Sequence, residues 1–126
     1  MLTMINPASV PKSPAYSQGV LATDVKRMLF ISGQVGVRAD GSVPDGIGEQ
    51  AKQAIANLNA VLADAGMDGS HIAKMTIYLT DESDMGGFVQ AATGTLPNPP
   101  PATTLLFVKA LGAPPLKIEI EAVAVG

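Results

Sequence analysis

Residues 48–65, GEQAKQAIANLNAVLADA, decide what kind of fold this chain adopts. Ala51, Ile55, Leu58, Val61, Leu62 and Ala65 recur at the spacing of one helix face. Glu49, Gln50, Gln53, Asn57 and Asp64 supply the wet side. Gly66 follows at once, a residue suited to the left-handed turn that ends many helices. A helix with a single apolar face needs a flat apolar partner, so this segment predicts a helix lying on a sheet.

Working outward, the residues after the helix supply that sheet. IAKMTIYLTD (72–81) predicts a strand with Met75, Ile77 and Leu79 on one side. A second helix is expected from Asp84, as N-cap, through FVQAATGTL (88–96). Pro97, Pro99, Pro100 and Pro101 then forbid helix. ATTLLFVKA (102–110) and LKIEIEAVAV (116–125) predict two closing strands around a Gly112–Pro115 turn. The second alternates cleanly: Leu116, Ile118, Ile120, Ala122 and Ala124 face one way, Lys117, Glu119, Glu121, Val123 and Val125 the other. On the N-terminal side, residues 1–14 read as an extended arm. AYSQGVLATD (15–24), RMLFISGQVGV (27–37) and the turn-rich RADGSVPDGIG (38–48) together predict a β-meander. The expected order is βββαβαββ, an α/β chain of the two-layer α+β kind. One mostly antiparallel sheet would carry two helices on one face, with residues 1–126 forming a single domain.

Composition narrows the function. Of 126 residues 47% are apolar and only 15% charged, so part of the apolar surface is expected to be covered by copies of the same chain. The sheet face without helices, carrying Val123 and Val125, is the natural place for that contact. Net charge is −3, and Arg27 and Arg38 are the only arginines beside six scattered lysines. Such a surface does not suit nucleic acid, which requires clustered cations. The absence of cysteine excludes disulfides and thiolate chemistry. His71 is the only histidine and reads as a surface turn residue; alone it cannot build a metal site. No apolar run approaches the ~18 residues of a membrane span, and the first residues lack signal-peptide character. A cytoplasmic, metal-free protein is expected.

Six segments taken in order carry a family resemblance: Asn6-Pro7, YSQGV (16–20), ISGQV (31–35), EQAKQAIANLNAVLADAG (49–66), IAKMTIYLTDESDM (72–85), and PPAT (100–103) with KIEIEAVAV (117–125). Together they resemble the RidA/YjgF family across essentially the whole chain. The resemblance implies a chorismate-mutase-like fold and a homotrimer with a small-molecule cleft between neighbouring subunits. It also implies hydrolysis of amino-acid-derived enamines and imines to ammonia and a 2-keto acid, with no metal or organic cofactor. Tyr16 matches the family tyrosine and Glu119 the glutamate that positions water; these are the expected catalytic residues. Ser32 and Gly33 match the small pair lining the cleft, and Thr103 and Leu105 complete the expected substrate-binding set. Thr103 stands where the family has arginine, and Val89 falls near a family asparagine.

A planar guanidinium clamps a carboxylate through two charge-assisted bonds, whereas a threonine hydroxyl offers one neutral bond. The substitution therefore implies an altered substrate. Two readings stand side by side: an imine, enamine or related hydrolase whose substrate lacks the usual carboxylate, and a binding protein that kept the cleft without the reaction. An endoribonuclease or translation-inhibitor role, also associated with the family, is disfavoured by the acidic balance.

Overall fold

The computed structural model describes residues 1–126. Its strands are β1 (Leu2–Ile5), β2 (Gly19–Ala22), β3 (Met28–Val35), β4 (Ile72–Leu79), β5 (Ala102–Phe107) and β6 (Ile118–Val125); its helices are α1 (Ile47–Asp64) and α2 (Met85–Ala92). Four strands form the main sheet in the order β3-β6-β4-β5. β6 runs antiparallel to both its neighbours, and β5 runs parallel to β4. β1 and β2 make a separate antiparallel hairpin. A single parallel bridge between Ser17 and Ala102 ties that hairpin to the β5 edge.

The alternation of β4 and β6 explains the layering. Met75, Ile77 and Leu79 of β4 join Ile118, Ile120, Ala122 and Ala124 of β6 in one buried cluster. Onto it pack Ala51, Ala54, Ile55, Leu58 and Leu62 of α1 with Phe88, Ala91 and Ala92 of α2. Burying a leucine such as Leu58 or Leu62 is worth about 1.5–3 kcal/mol, so the α1 stripe anchors the helix layer. Gly66, at φ +71°, ends α1: its N–H reaches Ala63 O and the Met67 N–H reaches Leu62 O, both at 2.9 Å. This two-bond close needs a left-handed residue, which glycine supplies without steric cost. Gln50, expected on the wet side of α1, is instead the one long polar side chain sealed inside. It donates to Pro44 O (3.1 Å) and Pro115 O (2.9 Å) and accepts from Lys117 N (2.8 Å). The start of α1 is thereby tied to the loop that leads into β6.

Further sequence expectations about the strands and α2 change. The arm over residues 1–14 contains strand β1. Residues 38–46 form no strand: Gly41 N–H closes a turn on Arg38 O, and Asp45-Gly46 bends the chain into α1, whose N-cap is Gly46. No meander results: β3 pairs with β6, the last strand, while β2 pairs with β1. Finally, α2 stops at Ala92, before Gly94 at φ +79°, rather than running on to the prolines.

Candidate functional site

The expected site residues fall into two groups on opposite faces of the main sheet. Tyr16, Thr103 and Leu105 share the helix side. β5 sets Thr103 beside Met75 and Leu105 beside Ile77, both core residues of β4. Beyond that edge lies a cavity of about 670 Å³. Tyr16, Met75, Ile77, Phe88, Thr103 and Leu105 all reach it, and the proline segment closes one side. Ser17 holds Tyr16 there: its N–H donates to Pro101 O at 3.1 Å and its hydroxyl to Pro100 O at 2.5 Å. The Thr103 hydroxyl donates to that same Pro101 carbonyl at 3.1 Å. Its proton is therefore engaged within the chain.

Ser32, Gly33 and Glu119 occupy the other face, which no helix covers. Glu119 alternates with the buried Ile118 and Ile120, so its side chain leaves the core. It pairs with Val35 on one side and Tyr78 on the other. β3 carries one extra residue between Ile31, opposite Ala122, and Gln34, opposite Ile120. The bulge places Ser32 and Gly33 together on the open face. The Glu119 side chain lies across Gly33 so closely that a Cβ there would overlap its carboxyl group. Gly33 is thus the floor on which Glu119 rests.

Sequence reading treated Glu121 as a wet-face residue and missed its partner. The Tyr78 hydroxyl donates to Glu121 Oε1 at 2.6 Å. That bond, with lesser contributions from burial and the nearby Glu121 and Glu119 charges, holds the Tyr78 phenol above its ordinary pKa. Of the two carboxylates on this face, Glu121 is taken by tyrosine and Glu119 is left for solvent or ligand. Ser32 lines a smaller concavity of about 360 Å³ with Lys74, Thr76 and Glu121. Lys74 Nζ donates across to Thr104 at 2.6 Å. The alternation of β4 against β6 carried the signal for this polar patch, since Thr76 opposes Glu121 and Tyr78 opposes Glu119.

Both arginines are committed elsewhere. Arg27 donates to Ala65 O at the end of α1, and Arg38 to Ser42 Oγ in the 38–42 turn. The largest cavity, about 840 Å³, contains none of the six expected residues; it lies beside β1 and is lined by Asp68, Ser70 and His71. His71 does not simply face solvent. Its Nδ1 accepts from Asp68 N at 3.0 Å, closing a capping box on the short turn Gly69–His71. No group of three His, Asp or Glu side chains comes together as a metal site, and no helix is long and apolar enough to cross a membrane.

A two-layer α+β fold with a ligand-sized cavity at the parallel edge of its sheet is the class that this geometry defines. The family model described as Endoribonuclease L-PSP matches residues 8–126. The 2-iminobutanoate/2-iminopropanoate deaminase of Rattus norvegicus is 38% identical over 123 residues, 93% of this chain and 87% of the relative. The mitochondrial protein mmf1 of Schizosaccharomyces pombe is 36% identical over 125 residues, 97% of this chain and 75% of the relative. Among solved structures, the Rid-family protein YyfB of Yersinia pestis aligns with a TM-score of 0.84 and 30% identity over 98% of both chains. The chain belongs to the RidA/YjgF family.

Proposed function

We propose that residues 1–126 act as one domain of a cytoplasmic homotrimer that hydrolyses a small imine or enamine in clefts between neighbouring copies, with no cofactor, and that its substrate lacks the carboxylate of a 2-imino acid. The observation that carries this reading is the placement of Glu119. Its carboxylate rests on the Gly33 floor, on an open face, while its neighbour Glu121 is occupied by Tyr78. A carboxylate so placed can accept a proton from water as that water adds to the C=N carbon. The new C–O bond forms as the nitrogen takes up a proton. The C–N bond of the resulting carbinolamine then breaks, leaving a carbonyl compound and ammonia. Tyr16, on the other half of the cleft, can donate a hydrogen bond to the substrate. The deaminase named among the relatives supports this class of reaction.

The altered substrate rests on Thr103. Its hydroxyl already donates to Pro101 O, and both arginines serve turns or helix ends. A substrate carboxylate would find no cation among the residues of the helix-side cavity. The same fact favours one competing reading, a binding protein with no turnover. RNA is not the proposed substrate, because net charge is −3 and the cations are scattered.

The test is hydrolysis of freshly generated 2-iminopropanoate by the wild type and by Thr103→Arg. Activity in the variant alone is the expected result: an intact cleft whose ligand has changed. Wild-type activity would overturn the altered-substrate reading. Inactivity of both would favour the binding protein. Glu119→Gln, assayed on a turned-over substrate, should lose most of the rate.

A further inference from the structure

We infer that the helix-side cavity is a specificity pocket for an uncharged, apolar substituent, branched aliphatic or aromatic, so that the chain handles neutral ketone- or aldehyde-type ligands rather than keto acids. This deepens the proposed reading of the same cleft and rests on it.

The lining decides the chemistry. None of the residues around the 670 Å³ cavity is Lys, Arg, His, Asp or Glu. Thr93 and Thr103 face it, but their hydroxyl protons go to Val89 O and Pro101 O, at 2.7 and 3.1 Å. Tyr16 and Asn98 remain as neutral donors at the rim. Two such donors can orient a C=N or C=O group. They cannot replace the hydration of a carboxylate, and an unpaired charge moved into apolar surroundings loses orders of magnitude in affinity. Size also fits: ligand pockets run from roughly 300 to 1,000 Å³.

The walls show what the pocket would hold. Met75, Ile77 and Leu105 form the sheet side, and Met85, Phe88 and Val89 the side of α2. Met75 and Phe88 are buried, whereas Met85 and Val89 are 38% and 50% exposed and mark the mouth. In the single chain that apolar rim is open to water, and in the proposed cleft an apolar ligand would cover it. The two thioethers are flexible and polarisable, so branched and flat groups can both pack between them.

Binding, read without turnover, tests the inference. The full-length protein carrying ¹³C-labelled methionine methyls is titrated with 4-methyl-2-pentanone and with 4-methyl-2-oxopentanoate, which differ by a carboxylate in place of a methyl. The ketone should move the Met75 and Met85 signals saturably and bind at least about tenfold more tightly than the acid. Met1, Met4 and Met67, which line the larger cavity, should not respond. Val89→Arg places a cation at a half-exposed position and should reverse the order of affinities. Acid binding as tight as ketone in the wild type would overturn the inference. So would a ketone that leaves Met75 and Met85 unmoved. A protein that prefers the ketone yet hydrolyses no imine would sink the hydrolase reading alone.

Discussion

Gly33 and Gly36 sit three residues apart at the end of β3, and both are crowded, but by different things. A Cβ on Gly33 would meet the end of the Glu119 side chain, which can swing away. A Cβ on Gly36 would lie 2.7 Å from Cα and the carbonyl oxygen of Gln50, which cannot move without shifting α1. The two alanine variants should therefore part company. Gly36→Ala should lose about 1–3 kcal/mol of stability in urea unfolding, as overpacked cores do. Gly33→Ala should unfold close to the wild type while cleft activity drops about a hundredfold, the scale on which small misplacements of catalytic groups act. Equal losses of stability would contradict the assignment of Gly33 to the Glu119 floor. From the sequence, Gly33 was legible as one of a small pair lining the cleft, but not what rests on it. The answer needs the register of β3 against β6, which a bulge shifts by one residue.

The same turn chemistry recurs at three places between elements. Asp40, Asp68 and Asp81 each accept from the backbone N–H and the hydroxyl of the serine two residues on, Ser42, Ser70 and Ser83. The serine hydroxyl is the main cause of the lowered carboxyl pKa at Asp40 and Asp68, and the serine backbone N–H at Asp81. A carboxyl depressed on folding stabilises the native state above its unfolded pKa, near 4. That contribution fades as pH falls through the folded value. Urea midpoints should thus decline below about pH 4, and Asp68→Asn should flatten that decline. An unchanged acid limb in the variant would count against the Asp68 turn as its source. The sequence marks Asp40 within a turn-rich stretch but suggests Asp84 as the cap of the second helix. Asp84 already has helical backbone angles and makes no capping bond. Asp81, extended at φ −147°, caps the preceding short turn instead. Helix α1 was readable nearly to its ends because its apolar stripe runs unbroken, whereas the 38–48 stretch has turn signals without strand periodicity.

At the scale of the whole molecule, one sheet face is filled by helices and the other is not. On the open face Phe30, opposite Val123, is 72% exposed and Met28 is also exposed. Light scattering at micromolar concentration should give the proposed trimer. If Phe30 lies in its interface, Phe30→Asp should shift the population toward monomer with little change in helix content. A wild-type monomer would refute the assembly. Family and layer order could be read from motifs and periodicity, but the division of the site could not. Strand alternation assigns each residue to a face without saying which face of another copy it will meet. Glu119 lies on one side and Tyr16 with Thr103 on the other, so in the proposed trimer one chain would lend them to different clefts. Inheritance of defects would follow that partition. Co-expressed Glu119→Gln and Tyr16→Phe chains, each inactive alone, should rescue one another: with random mixing, about one cleft in four receives two intact halves.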